Sequence, residues 1–148
     1  MKIEGASEIS APQDKVWTAF LDPATLAKAI PGCEGLEEIA PGEYKAVMKV
    51  GVAAIKGTFE GKVKLMDLEP PTRYRMSVEG KGGPGFVKGE AAMSLSAVDP
   101  DTTRVSYDAD VQVGGLIASV GQRMLGGVSK MMLDQFFTRM SELLAEKT

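Results

Sequence analysis

The sequence predicts an α+β protein in which a curved antiparallel sheet of about seven strands wraps on one long C-terminal helix, with two short helices after the first strand. Three observations carry this reading. From Gly114 to Lys147, apolar residues recur at three- and four-residue steps (Leu116, Ile117, Val120, Met124, Val128, Met131, Met132, Phe136, Met140, Leu143, Leu144), which is the period of a helix. Between Glu43 and Val113 the pattern is instead alternation of apolar and polar residues, the mark of antiparallel strands with one wet face. Pro41-Gly42, Pro70-Pro71 and Asp99-Pro100-Asp101 punctuate that region at hairpin intervals.

The elements follow in order. Lys2 to Ser10 reads as a first strand. Ser10-Ala-Pro-Gln13 reads as a helix start, with Ser10 capping, Pro12 in the first turn and Gln13 completing a capping box. Val16, Trp17 and Phe20 form that helix's apolar face. Asp22-Pro23 opens a second short helix carrying Leu26 and Ile30, and Pro31-Gly32 stops it. Leu36 to Ile39 and Glu43 to Gly51 are strands, the latter with Tyr44, Ala46, Met48 and Val50 on one face. Ile55, Phe59, Val63 and Leu65 then oppose Lys56, Glu60, Lys62 and Lys64. Tyr74, Met76 and Val78 oppose Arg73, Arg75, Ser77 and Glu79. Gly80 to Gly85 reads as a flexible connection. In the strand from Phe86 to Val98, Val87, Ala91, Met93 and Leu95 point inward. In the last strand Val105, Tyr107, Ala109, Val111 and Val113 do so. Successive strands joined by short turns make a meander with helices on one face.

The terminal helix carries an internal conflict. On an ideal helix the apolar residues from Leu116 to Val128 centre near about 80°, and those from Met132 to Leu144 near about 230°. Gly126-Gly127 sits at the crossover, and adjacent glycines are a recognised place for a kink. The expectation is a bend there, or two halves packed on different neighbours. The first half, Leu116 to Val128, is expected to form the inner wall of a cavity, and the second half to seek another partner.

At 148 residues the chain is expected to form a single domain, 1–148, large enough to bury a core. A net charge of -3, with no cluster of Lys and Arg, gives no support for nucleic-acid binding. Histidine is absent, which removes Ser-His and Cys-His nucleophilic catalysis, imidazole bases and nearly all zinc, copper and iron sites. Cys33 is the one cysteine, so no internal disulfide forms, and a reducing, cytoplasmic setting is expected. The opening residues lack the apolar run of a signal peptide, and no stretch is long and apolar enough to span a bilayer.

The inward strand positions carry few aromatic residues (Tyr44, Phe59, Tyr74, Tyr107) among many Ala, Val, Met and Gly. Gly121, Gly126 and Gly127 lie on the facing helix. Small residues on both walls predict an incompletely filled interior, against the alternative of a sheet closed tightly on a slim helix. The expected lining is Met48, Val50, Phe59, Met76, Met93, Val111, Val113, Leu116, Val120 and Met124. Such a lining suits an apolar ligand with a few carbonyl or hydroxyl groups, because a charged one would lose its hydration there. Catalytic and metal-binding residues are expected to be absent; an enzyme would need an inward acid or base, and Glu90 and Asp110 fall on the outward face. The uncharged run from Val50 to Ile55 reads as an apolar hairpin tip that touches a membrane, a partner or the cavity mouth, or else folds under the helix.

The element order resembles the START/polyketide-cyclase-like superfamily with its helix-grip fold. More narrowly, Ala11-Pro-Gln-Asp-Lys-Val-Trp17, Ala29-Ile-Pro-Gly-Cys33, Tyr44 to Val50, Ile55-Lys-Gly-Thr-Phe-Glu-Gly61, Gly89-Glu90 and Gly114-Gly115 resemble the carbon monoxide dehydrogenase G-subunit (CoxG) family over essentially the whole chain. The resemblance implies a non-catalytic accessory of molybdenum-containing carbon monoxide dehydrogenases and related hydroxylases, handling lipophilic quinone electron acceptors and aiding recruitment to the membrane. It implies no catalytic residues and no cofactor ligands. Longer members carry an apolar or amphipathic C-terminal tail, whereas this sequence reaches Thr148 just past the long helix, so anchoring by such a tail is not expected of these residues. The combined expectation is a cytoplasmic protein, peripheral to the inner face of the membrane, whose cavity takes an isoprenoid quinone or related lipid as ligand rather than cofactor. An enzyme of the cyclase or hydrolase type and a ligand-free assembly factor are the alternatives.

Overall fold

A computed structural model describes residues 1–52 and 55–146. The chain runs β1 (Lys2–Ile9), α1 (Gln13–Phe20), α2 (Pro23–Ala29), β2 (Cys33–Ala40), β3 (Glu43–Val52), β4 (Ile55–Glu69), β5 (Arg73–Gly82), β6 (Gly85–Asp99), β7 (Thr102–Gly114), α3 (Leu116–Ser119) and α4 (Gln122–Glu146). All seven strands join one antiparallel sheet in the order β1-β7-β6-β5-β4-β3-β2. It is the predicted meander, with β1 returning to pair β7. The expected apolar tip between β3 and β4 includes Ala53 and Ala54, which lie outside the described residues.

The start of α1 differs from the expected capping box. Pro12 occupies the cap position, with no side-chain cap hydrogen bond. Gln13 instead turns its amide outward from the helix and donates from Nε2 to the carbonyls of Pro71 (2.9 Å) and Leu95 (3.1 Å). A carbonyl of the β4–β5 turn and one within β6 compete successfully with the helix's own cap, and they dock α1 onto the sheet. The turn after α2 is as expected. Gly32 has φ +78°, and an added Cβ there would lie 2.3 Å from the Lys49 carbonyl oxygen, so a side chain is excluded on both counts. The expected flexible connection from Gly80 to Gly85 is instead a continuous tight hairpin: β5 runs to Gly82, β6 restarts at Gly85, and Gly82 pairs with Gly85.

The main core gathers Ile9, Val16, Val105 and Met140, each with no exposed surface, around Trp17, Phe20, Tyr74, Leu95, Phe137 and Leu144. Thr103 is equally buried, and its hydroxyl donates to the Ala11 carbonyl at 2.8 Å, tying β7 to the segment before α1. A second cluster stands apart from it: Phe59, Ile117 and Leu125, surrounded by Met48, Val50, Val113, Val120 and Val128.

The rotated apolar faces of the terminal segment are explained by these two clusters. Leu125 and Val128 pack into the second, and Phe137, Met140 and Leu144 into the first. The two halves thus face different neighbours, which was one of the two expected outcomes. The helix is interrupted, however, at Gly121 and not at Gly126-Gly127. Gly121 has φ +90°, a left-handed conformation that ends α3 and lets α4 start in a new direction. Gly126 and Gly127 lie within α4 and are exposed, with no atom within 4 Å of an added Cβ at either. Alanine should therefore stabilise α4 at both. We expect Gly126→Ala with Gly127→Ala to raise unfolding free energy by about 1–2 kcal/mol, read as a higher midpoint in urea with an unchanged slope.

Candidate functional site: an apolar cavity under the second half of the terminal helix

Between the inner face of the sheet and α4 lies a cavity of about 480 Å³. Ligand sites commonly span roughly 300–1,000 Å³. Its roof is the second half of α4, through Ser129, Met132, Leu133, Phe136 and Phe137; α1 and α2 add Phe20, Leu26 and Ile30. Its floor is the inward residues of the sheet, from Ile3 of β1 and Leu36 of β2 to those of β3 to β7, and among them Gly89, Ala91 and Ala109 are small, with Ala91 directly opposite Ala109 in register.

The space has a simple physical origin. Phe137 spaces the helix from the sheet, and Phe136 props it against α1. Phe136 meets Phe20 edge-on at 5.8 Å, and Phe137 stacks on Tyr107 at 5.5 Å. Where the strands then present only Gly and Ala opposite, nothing fills the gap. This reverses the expected assignment of the helix halves. The first half contacts the second cluster, where Phe59 and the surrounding valines close the interior directly. The reason lies in where the glycines point: Gly121, Gly126 and Gly127 are on the solvent side and make no cavity wall.

Of the ten residues expected to line the cavity, Met76, Met93 and Val111 do so. Met48, Val50, Phe59, Val113 and Val120 are brought together instead in the second cluster. Leu116 and Met124 turn outward, 70% and 46% exposed. The aromatic roof residues Phe136 and Phe137 were not among the ten. Their signal was present in the helical period, but periodicity gives a face and not the neighbour behind it.

Polar groups at the cavity are few. The hydroxyl-bearing side chains are Tyr44, Tyr74, Tyr107 and Ser129. Glu90 borders it through the strand, but its carboxylate is 60% exposed and accepts from Arg75 Nη2 at 2.9 Å. Asp110 is likewise outward, 68% exposed. Burial raises the pKa of all three tyrosines. Tyr74, packed edge-on against Trp17 with centroids 5.6 Å apart, is the most strongly affected, with the nearby Tyr44 adding to the rise. Tyr44 is raised by burial, then by a hydrogen bond to Glu38 and the charges of Glu38 and Asp22. Tyr107 is raised by burial and by Asp134. Each hydroxyl stays protonated across the physiological range and none is tuned to take up a proton; the Tyr44 proton is committed to the Leu21 carbonyl and Glu38, which leaves Tyr74, Tyr107 and Ser129 as donors to a ligand oxygen.

The sign of the linked pH effect follows. An unfolded tyrosine loses its proton near the ordinary value of 10.0, while folded Tyr74 keeps it. Above that pH the unfolded state binds fewer protons, so stability falls as pH rises. For Tyr74 it falls by up to about 1.4 kcal/mol per pH unit, until the folded hydroxyl also ionises. Tyr74→Phe should make the alkaline limb of a stability–pH profile shallower while leaving stability near pH 7 free of this dependence.

A seven-stranded antiparallel sheet curved on a C-terminal helix around such a cavity defines a START-like, helix-grip protein. Solved structures agree. A START superfamily protein from Mycobacterium smegmatis superposes with a TM-score of 0.79 at 15% identity, covering 99% of each chain. The Zhui aromatase/cyclase from Streptomyces sp. R1128 superposes with 0.71 at 18% identity, covering 99% of this chain and 94% of that one. A conserved protein from Geobacillus kaustophilus is far more similar: TM-score 0.96, 37% identity, and 99% and 96% of the two chains covered. The chain belongs to the carbon monoxide dehydrogenase G-subunit (CoxG) family, whose model matches residues 5–145. No curated protein matches it.

Proposed function

We propose that this protein is a non-catalytic carrier whose cavity holds a lipophilic molecule, an isoprenoid quinone or related lipid, in the service of a molybdenum carbon monoxide dehydrogenase-type oxidoreductase. In this reading it works from the cytoplasm at the inner face of the membrane, and either recruits the enzyme there or passes its electrons to quinone. The observation that carries the reading is the cavity itself: a space of about 480 Å³ whose polar side chains are tyrosine and serine hydroxyls apart from Glu90, which turns its carboxylate to solvent. Burying ring and isoprenoid surface there is worth roughly 25 cal/mol per Å², while the hydroxyls offer donors to quinone carbonyls. The family name supplies the enzyme it would serve.

The cyclase-like neighbour keeps an enzymatic reading in view. Against it stands the chemistry of the lining, where the ionisable groups are tyrosines pushed away from neutrality and the nearest carboxylates face solvent. The single tryptophan provides the test. Trp17 is 8% exposed and touches the cavity-lining Tyr74. Titration with a short-chain menaquinone should quench its emission with saturation at micromolar concentration. Emission that falls only linearly, as with free tryptophan, would overturn the carrier reading.

A further inference from the structure

Charge is distributed unevenly along this chain in a way that the fold converts into a surface. Residues 44–59, 80–89 and 111–133 contain seven of the 17 Lys and Arg and none of the 20 Asp and Glu. The sheet register brings the described residues near the β3–β4 and β5–β6 turns and the end of β7 to one end. Met48 pairs with Phe59, Phe59 with Gly82, Gly82 with Gly85, and Phe86 with Gly114. Ile117 N then donates to the Pro84 carbonyl at 2.9 Å, fastening α3 to the β5–β6 turn at the same end. Lys49, Lys56, Lys81, Lys88, Arg123 and Lys130 are all exposed. Among the described residues, the ion pair that ties one of them to a carboxylate is Lys88 with Glu79, at 3.9 Å. Amid these cations stand three large apolar side chains in solvent: Leu116 (70% exposed), Phe86 (48%) and Met124 (46%).

We propose that this pole is a docking surface for an anionic lipid bilayer. A chain of net charge -3 would be repelled by such a surface unless bases outnumbered acids locally; here Lys81 and Lys88 face Glu60 and Glu79 across the strands, while Lys49 and Lys56 stand opposite Thr58 and Gly51 and Arg123 and Lys130 lie on α4. Exposed apolar side chains among bases are the signature of an element that sits at the headgroup boundary. The cations also favour lipid over an acidic protein. Six of the seven are lysine, the base depleted from protein–protein interfaces, whereas arginine is the one enriched there. Lysine acts as a compact point charge suited to many headgroups in turn. The assignment extends the membrane-linked reading above and rests on it for its physiological sense.

Sedimentation with sonicated vesicles tests it. At low salt the protein should pellet with phosphatidylglycerol–phosphatidylcholine vesicles, stay in solution with phosphatidylcholine alone, and be released by molar salt. Lys49→Glu, Lys56→Glu and Lys81→Glu combined should weaken vesicle binding at least ten-fold. Reversing three exposed lysines elsewhere, Lys15→Glu, Lys28→Glu and Lys64→Glu, should leave it within about two-fold. Leu116→Ser should weaken it several-fold at constant charge. Failure to pellet with the anionic vesicles, or pelleting equally reduced by both triple reversals, overturns the proposal. Salt-sensitive capture of an acidic protein without any vesicle binding would reassign the pole to a protein partner and overturn the lipid assignment as well. The pole variant should still show saturable Trp17 quenching by menaquinone, so a failed pole and a failed cavity give different results.

Discussion

Replacing Ala109 by tryptophan should weaken binding of a quinone-like ligand by at least about 100-fold, or about 2.8 kcal/mol. Ala109 lies on the cavity floor directly opposite Ala91, beneath the arch that Phe136 and Phe137 hold open. An indole built there enters existing space, whereas the same change in a filled core would force its neighbours apart. Stability should consequently change little, and it should rise if the ring packs against Phe137. Equilibrium binding measured beside a urea melt separates the two quantities. A variant that binds as the parent does would show that the cavity is not where the ligand sits. Because the substitution adds a second tryptophan, affinity is best read by separation of bound from free ligand and not by emission.

Replacing Met140 by alanine should cost about 2–5 kcal/mol of stability. Met140 has no exposed surface and sits where α4 meets the core of α1, β1 and β7. Truncation removes apolar contacts and leaves a hole that rigid neighbours on three elements cannot close. Met131, nine residues earlier on the same helix and 38% exposed, is the matched control, with an expected change within about 0.5 kcal/mol on truncation. Both are read as shifts in urea midpoint. The contrast bears on the site, because the helix half that Met140 anchors is the half that roofs the cavity. Its loss should therefore weaken ligand binding as well as folding.

Strands were the most legible part of the fold. Alternation with a period of two fixes which residues face in, and the prolines and glycines at Pro41-Gly42, Pro70-Pro71 and Asp99-Pro100 mark where strands reverse. Glu90 and Asp110 accordingly stand on the outer face as alternation placed them. The start of α1 departs from the capping pattern of Ser10 to Gln13 because that pattern is a local signal, and Gln13 is held by two carbonyls far away in sequence. The helix halves were exchanged for a related reason. Apolar periodicity from Leu116 to Leu144 established two faces but carried no information on their distance from the sheet. That distance depends on aromatic bulk at Phe136 and Phe137 meeting Phe20 and Tyr107, side chains from three separate elements. The small residues that leave the space are on β6 and β7, at Gly89, Ala91 and Ala109. The glycines of the helix, prominent in the sequence, face water.

The terminal segment therefore has two structural duties, divided after Val128 and so about two turns beyond the break at Gly121. The first part, with Phe59 and Ile117, closes one end of the interior and helps present Leu116 and Met124 to solvent. The second part roofs the cavity and completes the main core. This arrangement places the candidate binding space beside the most buried part of the molecule and sets the basic, apolar-tipped pole at the far side of the second cluster.

Native mass spectrometry of the purified chain with added menaquinone shows whether the cavity holds a lipophilic molecule. A single added mass equal to one quinone is expected at micromolar concentration, absent from the Ala109→Trp variant and retained by the triple-glutamate variant of the pole. Spectra of the bare chain alone, with no lipid recovered by organic extraction of the protein, would contradict it.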